Sequence, residues 1–425
     1  VKHFLERKQM KRLNKYNVLA LLLAVLATAC NTDEDVSIYY DLGVDLVFPE
    51  GYADTDMSRG SVTAMNTQTG QSYHLDNVAS SYEFQLPAGT YTVTVAMRSS
   101  NGAMISTFSA SQDVSVFDAR HLSLTLEQGT LGGLIFKEVY YNMCRPNGRT
   151  PYMRDNFYEV YNNTDETLYL DNCVLGILQG GQGSVPSCWV DADGQLMKKY
   201  ALEYYTVAFC GSGTDYPVAP GTGVVIACQA QNHTAETAAM YDPSNANAVM
   251  SPVDLTNADY EIFLGDYKPA VSIDNPNVPN MTVIYHTGSM NYFNLPYTGN
   301  AIILAKLPDT TDPVSFAQDQ SNFMERPDGI GTTKYMMIPQ EYVLDGLNIV
   351  NNADRPNQRV VRLRSEVDAG IVFMAKPYGA KSIRRKVESI APDGRVILKD
   401  TNNSTDDFLR DVDPTPGIIP HTVDL

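Results

Sequence analysis

The stretch Tyr82-Glu83-Phe84-Gln85-Leu86-Pro87-Ala88-Gly89-Thr90-Tyr91-Thr92-Val93-Thr94-Val95 decides the fold class. Apolar and polar residues alternate strictly on both sides of a Pro-Gly turn. Strand side chains alternate between faces, so Tyr91, Val93 and Val95 share one face. Upstream, Val44 to Phe48 and Gly60 to Met65 read as strands, separated by a turn-rich loop of Pro, Gly and Asp. Downstream, Val114 to Val116 and Leu122 to Leu126 complete the set. About seven short strands in roughly 90 residues indicate a β-sandwich, here over residues 37–130.

Gly132-Gly133 marks the hinge into a second domain, 133–425. Leu134 to Tyr141 and Phe157 to Asn163 read as strands, and Leu168 to Gly176 follows a turn. Val218-Ala219-Pro220-Gly221 opens another strand through Ala227. This set resembles the lamin-tail-like domain, an immunoglobulin-like β-sandwich. Ser382 to Lys386, Asp400 to Phe408 and Pro414 to Gly417 are similar to that family's closing segments. The chain is longer than such a domain, so residues about 229–375 are expected as a loop-rich insertion that carries specificity. Loops of that length are usually functional or disordered. The fold expected is all-β: two tandem β-sandwiches, the second with this insertion. The turn Leu86 to Val95 resembles the prealbumin-like or carboxypeptidase-regulatory-like domains found at the front of Bacteroidetes surface proteins.

The N-terminal segment places the protein. Met10-Lys11-Arg12 and Lys15 form a charged region, and Val18 to Leu26 an apolar run too short to span a bilayer. Small residues then precede Cys30, and Asp33-Glu34-Asp35 follows. The pattern resembles a bacterial lipoprotein signal peptide over 1–29, with Cys30 acylated and 30–36 an acidic tether. The tether is similar to the tag by which Bacteroidetes carry lipoproteins to the cell surface. Taken together, the lipobox-like segment, the front sandwich and the expanded lamin-tail-like domain resemble a group of Bacteroidetes lipoproteins that accompany TonB-dependent transporters, which implies an outer-membrane lipoprotein beside such a transporter.

Composition narrows the function classes. The 425-residue chain carries a formal net charge of −18; without residues 1–29 it has 25 basic against 48 acidic residues, near −23. A nucleic-acid binder needs a basic footprint, so the balance argues against a general nucleic-acid binder. Cys144, Cys173, Cys188, Cys210 and Cys228 include no C-x-x-C pair, which argues against zinc or redox chemistry. One or two disulfides or buried thiols both remain open.

No G-x-S-x-G, H-E-x-x-H or phosphate loop is present, and the few histidines are scattered. No cofactor and no catalytic residue is expected. Asp191-Ala192-Asp193-Gly194 looks like a calcium loop but fits a hairpin turn better. Asp400, Asn402, Asp406 and Asp407 form a candidate cation loop that also suits a structured polar loop with Asx-turns. From Arg355 to Lys399, eleven Lys/Arg face four Asp/Glu. Within it Arg362 and Arg364 are expected on one strand face, and Arg384-Arg385-Lys386 adds a second cluster. Such a patch could hold an anion or an acidic partner loop, or pair internally with the abundant carboxylates. The 26 tyrosines are expected mainly in cores and cross-strand pairs, and Trp189 in the core.

The sequence therefore points to a non-enzymatic surface lipoprotein that binds or docks, its ligand not specified. A structural or adhesive protein is the alternative. A hydrolase is a further one, and it requires a cleft whose carboxylates shift each other's pKa.

Overall fold

The computed structural model describes residues 38–99, 106–130, 133–180, 185–295, 300–350 and 360–424. Cys30, the proposed signal segment and the acidic tether lie outside them. Strands dominate throughout, and the protein is all-β.

The first sandwich contains β1 (Tyr39–Val47), β2 (Met57–Asn66), β3 (Ser72–Asp76), β4 (Ser81–Pro87), β5 (Gly89–Ser99), β6 (Ser106–Val116), β7 (Arg120–Thr125) and β8 (Glu127–Thr130). They form a three-stranded sheet, β4-β1-β7, and a five-stranded sheet, β3-β2-β5-β6-β8. The Pro87–Gly89 turn therefore carries the chain from one sheet to the other. β4 pairs with β1, whereas β5 lies between β2 and β6. The chain passes close to Asn66 at the crossing: a Cβ on Gly89 would stand 2.6 Å from Asn66 Nδ2, so that side chain would have to move. The Tyr91 hydroxyl donates to Pro87 O at 2.8 Å and ties the turn to the core. Leu42, Val44, Phe84, Leu86, Leu122 and Leu124 from the small sheet meet Val62, Ala64, Tyr91, Val93, Val95 and Phe108 from the large one. The period-two pattern thus buries one face of each strand. On the large sheet it also turns Ser61, Thr63, Thr92, Thr94, Ser109 and Ser111 outward.

The second sandwich begins with β9 (Leu134–Tyr140), β10 (Phe157–Asn162), β11 (Leu168–Tyr169), β12 (Cys173–Leu178), β13 (Lys199–Ala208), β14 (Pro217–Val218) and β15 (Gly223–Ala227). It continues with β16 (Tyr260–Glu261), β17 (Thr282–His286), β18 (Ala301–Lys306), β19 (Phe323–Glu325), β20 (Lys334–Pro339) and β21 (Val343–Asn348). β22 (Ser382–Arg385), β23 (Val387–Ile390), β24 (Val396–Leu398) and β25 (Phe408–Val412) close the chain. One sheet runs β16-β15-β10-β9-β22-β25; the other runs β19-β20-β13-β12-β18-β21, with β17 also on β13. Phe136, Tyr158, Val160 and Ile226 pack against Leu175, Ile177, Val207, Ile302 and Leu304 between them.

The stretch 229–375 is not an addition to a finished sandwich. Its strands β18 and β21 extend the second sheet directly from β12, and β17 and β20 pair with β13. The physical reason is visible in β12, whose six residues are all buried. Such a strand needs neighbours on both edges and cover on both faces. β13 flanks one edge, and the stretch supplies the other neighbour, β18, together with outer cover: Ile303, Ala305, Phe316, Met336 and Ile338 pack there with Leu363 and Val367. Trp189 is buried against Tyr335 and donates from Nε1 to Gln179 Oε1. Asp191 to Gly194 form the turn between the bridged residues Val190 and Leu196.

Candidate functional site

The polar outer face of the five-stranded sheet docks on the second sandwich. Thr63 Oγ1 donates to the Asp406 carboxylate at 3.0 and 3.1 Å. Asn402 Nδ2 donates to Thr107 Oγ1 at 2.8 Å, and Ser109 Oγ to Ser365 O at 2.6 Å. Glu388 pairs with Arg59 and, at 3.4 Å, with Arg98. Met65 packs on Val350 and Ile371. The polar contacts are directional and largely buried, so they fix the orientation of the two bodies.

Beside them a cleft of about 480 Å³ remains open between the sandwiches. Its floor is the hydroxyl-bearing face of β5 and β6, where Thr92 stands opposite Asp113 and Thr94 opposite Ser111. Thr92 Oγ1 donates to Asp113 Oδ1 at 2.6 Å, and Thr94 and Ser111 hydroxyls meet at 3.3 Å. One wall is Arg364 to Glu366, and the turn Gly194-Gln195-Leu196 lines the rim. Ile371, Leu363 and Met65 add apolar surface.

Arg364 organises the wall. Its Nε donates to Glu366 Oε1 at 2.9 Å, its Nη2 to Glu127 at 2.8 and 2.9 Å, and its Nη1 to Leu196 O at 2.9 Å. Glu127 belongs to the first sandwich, so this guanidinium bridges both bodies. Burial pushes the Glu127 carboxyl up, and a hydrogen bond with Glu366 pushes it the same way. Burial acts on Glu366 too, but hydrogen bonds from Glu127 and Arg364 outweigh it and hold that carboxyl low. The two carboxyls on one arginine are thus pushed in opposite directions.

The basic cluster expected from the sequence is not an open anion patch. Arg362 is buried, and its Nη2 donates to Gly180 O and to Val185 O. Arg362 and Arg364 lie outside any strand, Arg364 capping the short helix Ser365–Asp368. Arg384 reaches Asp424 at 3.2 Å, and Lys386 is half-buried beside it. Arg385 is fully buried among Asp345 (2.6 Å), Asp400 (3.0 Å) and Asp407 (3.4 Å). Arg385 is buried with three carboxylates around it because a guanidinium leaves water only with partners for its N–H groups.

The same contacts dispose of the candidate cation loop. Asp400 and Asp407 face Arg385, Asp406 accepts from Thr63, and Asn402 donates across to Thr107. Their oxygens converge on protein donors, not on a common point. Among the described residues no group of three or more His, Cys, Asp or Glu could hold a metal ion. Cys144, Cys173, Cys188, Cys210 and Cys228 are all free thiols. Tyr140, Tyr141 and Tyr205 are core residues.

Sequence reading missed Glu127, Thr92, Asp113 and Glu366 as neighbours. Thr92 and Asp113 lie 21 residues apart and Arg364 and Glu127 lie 237 apart. The outward face of the 90–95 alternation was the one signal available.

Residues 219–415 match the model of a family described as "Protein of unknown function (DUF4876)". That span holds Arg364, Glu366 and the Arg385 cluster, but not the floor of the cleft. The crystal structure of a DUF4876 family protein from Bacteroides thetaiotaomicron VPI-5482 is similar over 90% of this chain and 98% of its own, at 26% identity and a TM-score of 0.56. A DUF1812 protein of the same organism, described as a candidate polysaccharide binding protein, aligns over 44% of this chain and 76% of its own at 7% identity. The TM-score of that alignment is 0.17. No curated protein matches the chain.

Proposed function

We propose that the protein is a non-enzymatic binding protein of the bacterial cell surface, anchored in the outer membrane through lipid on Cys30, with its recognition site in the cleft between the sandwiches. The observation that carries this reading is the cleft itself. Its walls come from two bodies already locked together by Arg364–Glu127, Asp406–Thr63 and Glu388 pairs, so a ligand meets a preformed surface. The lipobox-like segment and the front sandwich support a surface location. The lamin-tail-like resemblance extends the reading to a docking role beside a TonB-dependent transporter.

Glu127 and Glu366 give the hydrolase alternative its one observation, two carboxyls with opposite shifts in a cleft. Their geometry speaks for structure. Glycoside hydrolysis needs carboxyls about 5–5.5 Å or about 6.5–9.5 Å apart with the substrate between them. Here both are engaged by one arginine, Glu366 through its Nε and Glu127 through its Nη2.

The test is to purify the native protein from outer membranes in mild detergent. A stoichiometric β-barrel transporter is the expected companion. A solitary or self-associated protein would remove the accessory role and favour adhesion.

A further inference from the structure

The cleft lining carries four carboxyls, Asp113, Glu127, Glu366 and Asp368, against one cation, Arg364, and all but Asp113 are held by several protein donors. Arg364, the cation of the wall, is committed to Glu366, Glu127 and Leu196 O, so it has no free fork for a carboxylate or phosphate. Asp368 is equally committed, accepting from the amides of Asn348, Gly370 and Ser404. What remains accessible is the floor, with half-buried Thr90 and Thr92 beside exposed Ser111 and Asp113. A threonine hydroxyl has one donor and two acceptor positions, and a carboxylate only accepts. Because Thr92 spends its proton on Asp113, its lone pairs and the remaining Asp113 positions face the cleft as acceptors. Thr90 and Ser115 form a further cross-strand hydroxyl pair at 3.4 Å. Threonine methyls, Met65 and Ile371 set C–H surface between these polar atoms.

We infer that the cleft binds a neutral, hydroxyl-rich ligand of the oligosaccharide class, whose hydroxyls donate to Thr92 and Asp113 and whose ring C–H faces lie on the threonine methyls. An anion would meet Asp113 with no free cation to offset it. A strongly cationic ligand would find one uncommitted carboxylate, since the other acids already have partners. A polyol satisfies mixed donors and acceptors without a net charge to desolvate. The assignment rests on the cleft being the binding site.

The experiment is a binding screen of the intact protein in detergent against neutral, carboxylated and amine-bearing oligosaccharides. The variants are Thr92→Val, Asp113→Asn and, on the far sheet, Ser123→Ala. Thr92→Val is close to isosteric on a surface strand, and its thermal unfolding checks that the fold is retained. The expected result is binding of neutral oligosaccharides that weakens at least ten-fold in Thr92→Val and in Asp113→Asn and is unchanged in Ser123→Ala. Preference for carboxylated or amine-bearing glycans, neutral binding indifferent to Thr92→Val, or no carbohydrate binding would each overturn the inference. The outcome is separable from the transporter test. Glycan binding without a co-purifying barrel removes the accessory role and leaves the ligand class standing; a barrel without glycan binding does the reverse.

Discussion

Replacing Arg385 by methionine tests how the acidic chain holds its core together. The side chain is 1% exposed, and its guanidinium lies 4.6 Å from the Phe408 ring centroid. It donates to Asp345, Asp400 and Asp407, and also to Phe136 O and Lys399 O. Methionine fills part of the volume but leaves three carboxyls and two carbonyls facing apolar surface. Removing one partner of a buried pair costs about 3–5 kcal/mol. For a body of this size, at about 2–4 °C per kcal/mol, the unfolding midpoint should drop by roughly 10 °C. Trp189, the one tryptophan, is buried in the same sandwich, so its fluorescence follows the transition.

The pH dependence sharpens the test. Burial raises the Asp400 carboxyl above its ordinary range, with Asp345 and Asp407 pushing the same way and Arg385 opposing. A raised carboxyl binds its proton more tightly folded than unfolded. Its stabilisation is thus present at low pH and lost as pH rises above the ordinary aspartate range. Without Arg385 that loss should deepen, so the deficit of Arg385→Met should be larger at pH 7.5 than at pH 5. A midpoint within 2 °C of wild type at pH 7.5, or a deficit equal at the two pH values, would refute the reasoning.

Two further outcomes are expected. The native protein should expose about two of its five described thiols to an aromatic disulfide reagent, Cys188 and Cys210, the other three reacting only after denaturation; reductant should leave the unfolding midpoint unchanged. His233 is buried, donates from Nε2 to Gln229 O and meets the Tyr152 hydroxyl through Nδ1 at 2.6 Å. Burial lowers its pKa to about 4, so stability present above pH 6.5 is lost as pH falls toward that value. The loss should reach about 3 kcal/mol, and His233→Gln should flatten the slope of denaturation midpoints measured between pH 6.5 and 4.

By itself the sequence determined what is local. Alternation from Tyr82 to Val95 settled that these residues are strands and which face is apolar, because side-chain direction follows from backbone geometry alone. It also marked Asp191 to Gly194 as a turn and Trp189 as core. Tertiary structure alone decided which strands are neighbours. Period two is the same whether Leu86 and Gly89 belong to one sheet or two, and nothing local showed that Ala301–Lys306 would pair with Cys173–Leu178. It likewise decided what the charged residues do. Arginines 362 to 385 are a basic patch in one dimension, but Arg362, Arg364 and Arg385 each also meet a partner far along the chain, Gly180 O at 182 residues, Glu127 at 237 and Asp345 at 40. The cleft arises for the same reason. Thr92, Asp113, Glu127 and Arg364 each follow a local rule, and only the docking of two sheets sets them around a common space.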